Sequence, residues 1–96
     1  MSMMGAQLRF EWDATKAAAN LEKHRVSFSF ATRVFLDPDR LELDATRAED
    51  AESRFKVIGM IAGRLHVVVA TKRGAAHRII SARRANRTED RAYGSR

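Results

Sequence analysis

The fold is decided by residues 77–93, which read HRIISARRANRTEDRAY. The first part of this stretch is centred on two adjacent isoleucines, and it predicts a strand over residues 77–83. Asn86 comes next, with Glu89 three residues later, and an asparagine N-cap followed at that spacing by a carboxylate is the capping-box pattern. The sequence therefore predicts a strand that leads directly into a helix beginning at Asn86.

The same stretch is rich in arginine. Guanidinium groups near a strand end and a helix N-terminus concentrate donors for phosphate, because free backbone N–H groups lie there too. A solvated basic tail is the alternative interpretation, and the charge alone does not decide between the two. The arginines are Arg78, Arg83, Arg84, Arg87 and Arg91.

Two more strands precede this stretch. Residues 54–61 (RFKVIGMI) and 65–71 (LHVVVAT) have strand composition, and the Ala-Gly-Arg loop at 62–64 joins them as a hairpin. A turn that contains Gly74 then leads into the strand at 77–83. Because the three strands are consecutive, the sequence predicts an antiparallel meander.

The N-terminal part of the chain predicts one strand and two helices. Residues 8–12 alternate apolar and charged side chains, which indicates a half-buried strand. Asp13 is a suitable N-cap for a helix that runs to about residue 24. Ser27 is a suitable N-cap for a shorter helix that ends at about residue 36, before the only proline.

These elements run in the order β-α-α-β-β-β-α, with one extra short strand at residues 41–43 and an exposed acidic loop over residues 44–52. This order favours a small antiparallel sheet with its helices packed on one face, and the predicted fold class is α+β. The 96 residues suffice for one small domain, which we expect to span residues 1–96.

The net charge of +6 is unevenly distributed along the chain. Residues 72–96 carry eight lysines and arginines against two acids, whereas residues 37–52 carry seven acids against two arginines. A clustered basic region favours a polyanionic partner, and nucleic acid is the commonest one. An acidic protein partner fits this charge distribution equally well.

Several classes of protein are disfavoured by composition and motifs. The chain has no cysteine, which excludes disulfide scaffolds and thiolate metal sites. Neither the histidines nor the clustered acids have metal-ligand spacing, so we expect no metal and no cofactor. The serines lie in no nucleophile elbow. Without a membrane-length apolar run or a signal pattern, the expected location is the cytoplasm.

A basic site can still cleave RNA without a metal. The neighbouring 2′-hydroxyl attacks the phosphate, which requires a base, cations for the phosphorane oxygens and an acid for the leaving oxygen. Arg83 and Arg87 suit the second task, because guanidinium binds phosphate through two donors. His24 is the one obvious proton-transfer group near a lysine pair. The alternative for His24 is a helix C-terminal residue that interacts with the helix dipole.

The first predicted helix places four polar residues on one face. Lys16, Asn20, Lys23 and His24 are spaced i, i+4, i+7 and i+8. Such faces are usually only solvated. This one contains two lysines, an amide and a histidine without an acid, so we expect it to contact RNA.

Two blocks of the sequence together resemble the BrnT family, the toxins of bacterial type II toxin–antitoxin modules. The blocks are FEWDATKAAANLEKHRVSF at residues 10–28 and RIISARRANRTEDRAY at residues 78–93. The resemblance covers roughly residues 8–93. It implies a RelE-like fold, an endoribonuclease that inhibits translation, and a ribbon–helix–helix antitoxin of the BrnA type. We expect toxin and antitoxin to form a 2:2 complex that binds operator DNA and represses its own operon.

Carried over by position, the resemblance gives six candidate site residues, which are Lys16, Lys23, His24, Arg54, Arg83 and Arg87. Phe30 departs from the family pattern, because an acid that completes the helix cap is expected there. A non-catalytic basic module that binds RNA or DNA, or a toxin homologue that has lost activity, is the alternative function. The expected catalytic residues are Lys23, His24, Arg54, Arg83 and Arg87, and the expected RNA-binding residues are Lys16, Asn20, Arg78, Arg84 and Arg91.

Overall fold

The computed structural model describes residues 8–95 and confirms the α+β class, the order of the predicted elements and the extra short strand. Every helix in this part of the chain is too short or too polar to span a bilayer. The elements are β1 (Arg9–Glu11), α1 (Ala14–His24), α2 (Phe28–Ala31), a 3-10 helix (Thr32–Leu36), β2 (Leu41–Asp44), β3 (Phe55–Ile61), β4 (Arg64–Arg73), β5 (Ala76–Arg84) and α3 (Arg87–Gly94).

The five strands form one sheet in the order β1-β5-β4-β3-β2. The strands β2 to β5 are antiparallel, as the predicted meander requires. The prediction of an entirely antiparallel sheet is wrong for β1, which pairs with β5 in parallel and places Phe10 opposite His77. The chain leaves β1 through helices rather than through a hairpin, and only a tight hairpin forces antiparallel pairing.

Local capping signals determine where the helices begin. The Asp13 side chain accepts a hydrogen bond from the backbone N–H of Lys16, and the Ser27 side chain accepts one from Phe30. Both hydrogen bonds of the Asn86–Glu89 capping box are present. The Ser27 cap therefore forms although residue 30 is Phe and not the acid expected from the family pattern.

One face of the sheet carries the hydrophobic core. The helices α1 and α2 and the 3-10 helix pack on this face, which we call the core face. The approach is closest at Gly59, where an added Cβ would lie 2.8 Å from the Val34 carbonyl oxygen. A glycine is required there because any side chain would displace the 3-10 helix. Among the buried residues of this core are Phe28, Val34, Val57, Val68, Ile79 and Ala82.

The last helix, α3, packs against the opposite face, which we call the α3 face. Its Glu89 contacts the side chains of Lys56 and Arg83, which alternate along their strands with the core residues Val57 and Ala82. The prediction that all helices pack on one face is therefore wrong for α3. The physical reason is electrostatic, because Glu89 of α3 pairs with Lys56 and Arg83 on this face.

Candidate functional site

The α3 face carries a carboxylate that is surrounded by donors. Glu89 is 3% exposed, and its Oε1 and Oε2 each accept a hydrogen bond of 2.7 Å from the Arg83 guanidinium. The Lys56 ammonium donates to Oε2 at 3.1 Å, and the backbone N–H of Asn86 donates to Oε1 at 2.9 Å. The Arg83–Glu89 pair is thus bidentate, which fixes the plane of the guanidinium group.

Strand register and the capping box together assemble this cluster. Ile58, the second residue after Lys56 on β3, lies opposite Val67 of β4, and Val67 lies opposite Arg83 of β5. Residues opposite one another point to the same face, so Lys56 and Arg83 both project towards α3. The capping box orients Glu89 at the start of that helix. The site is therefore built from three elements that are far apart in sequence.

The electrostatics of the cluster favour the charged forms of Glu89 and Arg83. Burial alone raises the pKa of Glu89, but hydrogen bonds from Arg83, Asn86 and Lys56 lower that pKa to about 2. The hydrogen bond with Glu89 raises the pKa of Arg83, against the opposing effect of burial. The Arg83 side chain is 33% exposed and that of Lys56 is 28% exposed. Two oriented cations with a net charge of +1 over the cluster are therefore accessible to an anionic substrate.

Two further cations belong to β5 and to the residue that precedes β3. Arg78 donates to Glu11 at 3.0 Å and is partly exposed. Arg54, two residues before Lys56, is half-buried with its Nε 3.5 Å from Asp50. Alternation along the strands thus places Arg54 and Arg78 on the same face of the sheet as Arg83.

The cations of α1 are not part of this arrangement. Lys16 and Lys23 are exposed and His24 is half-buried, and all three belong to a helix on the core face. The structure therefore does not group Lys23 and His24 with Arg83 on one face of the sheet. Lys23 and His24 lie in the last turn of α1, where they complement the helix dipole, which is the alternative interpretation.

Asn20 has a structural role. It is 8% exposed, and its Nδ2 donates to the backbone carbonyls of Val26 at 3.0 Å and Ala82 at 2.8 Å. The backbone N–H of Ala82 donates in return to Oδ1 at 3.1 Å. The prediction that Asn20 lies on an exposed RNA-binding face is wrong, because its hydrogen bonds tie α1 to β5.

Replacing Asn20 with alanine is expected to destabilise the fold strongly. The change leaves buried backbone groups of Val26 and Ala82 without partners, at roughly 1–3 kcal/mol for each unsatisfied group. Chemical denaturation measures the loss, and Lys16→Ala, four residues earlier on the same helix but exposed, is the matched control. Equal free energies of unfolding for the two variants would contradict this structural role.

The remaining predicted arginines have no contact with the Glu89 carboxylate. Arg84 and Arg87 line a groove at the end of the sheet, beside the N-terminus of α3. Arg91 is exposed on α3. Arg84 follows Arg83 along an extended strand and so points to the core face. Arg83 and Arg84, which are adjacent in sequence, therefore point to opposite faces of the sheet.

Sequence reasoning missed Lys56 and the ion pairs of Glu89. The signal for Lys56 is its place in RFKVIGMI, where one lysine interrupts a predominantly apolar strand. The sequence identified Glu89 only as the carboxylate of a capping box. Its ion pairs with Arg83 and Lys56 depend on the register of the strands, which local sequence does not give. Among residues 8–95, no group of three histidines or acids is arranged to hold a metal ion.

The comparisons with known proteins agree with the resemblance drawn from the two sequence blocks. No protein with a curated description matches the chain. The profile of the family described as "Ribonuclease toxin, BrnT, of type II toxin-antitoxin system" matches residues 12–89. This match spans well over half of the 96 residues and includes Lys56, Arg83 and Glu89. The chain therefore belongs to the BrnT family of ribonuclease toxins.

Proposed function

We propose that this chain is an endoribonuclease that cleaves RNA by metal-independent attack of the 2′-hydroxyl. Cleavage of cellular RNA in the cytoplasm then inhibits translation. The observation that supports this proposal best is the pair of oriented cations, Arg83 and Lys56, held by the buried Glu89 on the α3 face.

The proposed mechanism assigns Arg83 to the reacting phosphate. As the 2′-oxygen bonds to phosphorus it loses its proton to solvent water, and the bond from phosphorus to the 5′-oxygen then breaks as that oxygen takes up a proton from solvent. The partly exposed Arg83 guanidinium binds the non-bridging oxygens, whose negative charge grows as the phosphorane forms. Lys56 supplies a second positive charge to the same oxygens. Glu89 is a positioning residue, because its pKa of about 2 makes it a weak base and its oxygens already accept hydrogen bonds. Arg78 and Arg54 extend the positive surface along which flanking phosphates bind.

Cleavage is expected to persist in EDTA. A metal-dependent nuclease holds magnesium with carboxylates beside the phosphate. The carboxylate nearest the proposed phosphate site is Glu89, which is already engaged by Arg83, Lys56 and Asn86. The cleavage rate of a defined RNA is measured with EDTA and with added magnesium, with a metal-dependent nuclease as control. Activity that EDTA abolishes and magnesium restores would contradict the metal-independent mechanism.

We also propose that a cognate antitoxin neutralises this chain. A ribbon–helix–helix antitoxin of the BrnA type, in a 2:2 complex that binds operator DNA, fits the type II family to which the chain belongs. The exposed arginines that bind RNA need an acidic partner to cover them in the host. Family membership and the clustered positive charge support this part of the proposal.

Co-expression with the product of the adjacent reading frame is expected to restore growth to cells that produce this chain. The two proteins are expected to co-purify, because a neutralising partner must remain bound to the toxin. Growth curves and affinity purification measure the two effects, and an unrelated acidic protein of similar size is the control. Neither rescue nor co-purification would contradict the antitoxin proposal.

A further inference from the structure

A second cationic surface lies on the core face, away from the Glu89 cluster. It is a cleft of about 520 Å³ between the end of α1, the start of α2 and the β3–β4 hairpin. Leu21, Val26, Phe30 and Ile61 form an apolar lining. Leu21 is 47% exposed, which leaves apolar surface open to solvent at this position.

Three guanidinium groups also line the cleft. Arg25, Arg64 and Arg84 belong to three different segments of the chain, and none of their guanidinium groups has an ion pair or hydrogen bond within residues 8–95. Within the part of the chain that the structure describes, no acidic residue lines the cleft. In contrast, Arg83, which neighbours Arg84 in sequence, is paired with Glu89. The cleft thus combines an apolar interior with uncompensated positive charge.

We propose that this cleft is the docking site for an acidic, amphipathic segment of the antitoxin. The proposal rests on the proposed toxin function, because that function requires a neutralising partner. An apolar side chain of the segment fills the space between Leu21 and Phe30. Carboxylates on either side of that side chain pair with Arg25, Arg64 and Arg84. This match of apolar and charged groups specifies the chemistry of the partner.

A peptide fits the cleft better than an RNA strand does. RNA binding on a basic surface uses aromatic rings as stacking platforms for bases. Phe30 is the aromatic ring that lines the cleft, and the Arg33 guanidinium already lies over it at 5.4 Å from the centroid. His66 packs against the same ring in an edge-to-face arrangement. An inserted aliphatic or aromatic side chain needs no free ring face, so a peptide remains compatible with these contacts.

The cleft also leads towards the proposed catalytic face. Arg64 and Arg84 line both the cleft and a neighbouring groove of about 370 Å³, which continues to Arg87 at the N-terminus of α3. Glu89 lies two residues beyond Arg87 on the same helix. A segment anchored in the cleft can therefore extend around the end of the sheet and cover the Arg83–Lys56 pair. Docking on one face then blocks RNA on the other.

The experiment uses labelled, overlapping synthetic peptides that cover the product of the adjacent reading frame. Their binding to the full-length protein is measured by fluorescence anisotropy for the wild type, Arg25→Glu and Arg64→Glu. Lys72→Glu is the matched control, because it makes the same charge change at an exposed residue of β4. Lys72 lies eight residues from Arg64, or about 26 Å along an extended strand.

We expect one acidic peptide with apolar residues to bind the wild type and Lys72→Glu equally. Arg25→Glu and Arg64→Glu should each weaken this binding at least about ten-fold, because close charge pairs across an interface become repulsive. Both variants should keep wild-type RNA cleavage and circular dichroism. Equal binding by all four proteins, or lost cleavage with retained peptide binding, would overturn the proposal, and the latter would assign the cleft to RNA. Wild-type protein that binds the peptide but cuts no RNA would overturn the proposed ribonuclease instead.

Discussion

Replacing Arg83 with alanine is expected to lower the rate of RNA cleavage by roughly ten- to a hundred-fold. A charge-assisted contact contributes about 1.5–3 kcal/mol, and a contact made only in the transition state lowers the barrier by that amount. The Arg83 guanidinium is held bidentately by Glu89 and is one-third exposed, so it reaches a phosphate in a fixed orientation. Single-turnover cleavage of a defined RNA measures the effect.

Arg73→Ala is the matched control for this variant. Arg73 also forms a bidentate salt bridge, in which its Nε and Nη2 donate to the carboxylate of Glu52. It lies on β4 and has no contact with Glu89. Its replacement should leave cleavage unchanged. Arg83→Lys keeps the charge that Glu89 requires but loses the two-donor fork, so it should fold normally and remain impaired. Full activity of a folded Arg83→Ala variant would remove this residue from the proposed mechanism.

Replacing Glu89 with glutamine is expected to weaken both stability and cleavage. Arg83 and Lys56 lose the carboxylate that positions them, although their exposed ends can return to water. The stability loss is expected at roughly 1–3 kcal/mol, the range for a buried hydrogen-bonding group left without its partner. Activity should fall because the two cations are no longer fixed. Denaturation and cleavage assays on the same preparation measure both effects.

The pH dependence of stability gives a second readout for Glu89. Its pKa is lowered from the ordinary 4.5 to about 2, so the ionised form stabilises the folded state. This stabilisation is fully present above pH 4.5 and is lost as the pH falls towards 2. The wild type should therefore lose stability over this interval more steeply than Glu89→Gln.

Asp50 requires a separate control in this titration. Hydrogen bonds from the side chain and backbone of Arg47 lower the pKa of Asp50 to about 2 as well. Asp50→Asn removes that contribution and should leave the steeper acid dependence due to Glu89 in place. The measurement is the melting temperature of each variant across the acid range. If the melting temperature falls with pH equally steeply for the wild type and Glu89→Gln, the ionised form of Glu89 does not stabilise the fold as described.

Signals confined to a few consecutive residues predicted local structure well. The Asn86–Glu89 spacing predicted a capping box, and both of its hydrogen bonds form. Other local features were predicted equally well, because each depends only on neighbours in sequence. They are the Asp13 and Ser27 caps and the hairpin loop at residues 62–64. These signals also gave the α+β class, since the order of elements follows from them.

Properties that depend on distant residues were predicted less well. The spacing on α1 placed Asn20 beside Lys16 and Lys23, yet burial of Asn20 depends on the backbone of Ala82, 62 residues away. Similarly, the sequence grouped His24 with Arg83, although α1 packs on the core face of the sheet and the Arg83 side chain points to the α3 face. Helical periodicity gives the neighbours on one helix, but it does not give the side of the sheet on which that helix packs.

The exposure of Arg83 illustrates the same limit within one segment. From the sequence we expected Arg83 and Arg87 to share one task, binding the phosphorane oxygens, yet only Arg87 of the two is exposed. Arg83 is half-buried because Glu89, six residues later, folds back onto it. The link between them is a turn from strand to helix, and its direction is fixed by the contact of Glu89 with Lys56 on a third element.

Cleavage of two RNA oligonucleotides that differ by a single 2′-deoxy substitution at the cut position tests the proposed mechanism most directly. Attack by the neighbouring 2′-hydroxyl requires that group, so the unmodified RNA should be cut in EDTA and leave a 2′,3′-cyclic phosphate or 3′-phosphate end. The substituted oligonucleotide should resist cleavage at that position. Equal cutting of both oligonucleotides at the same position would contradict the mechanism proposed for the Arg83–Lys56–Glu89 site.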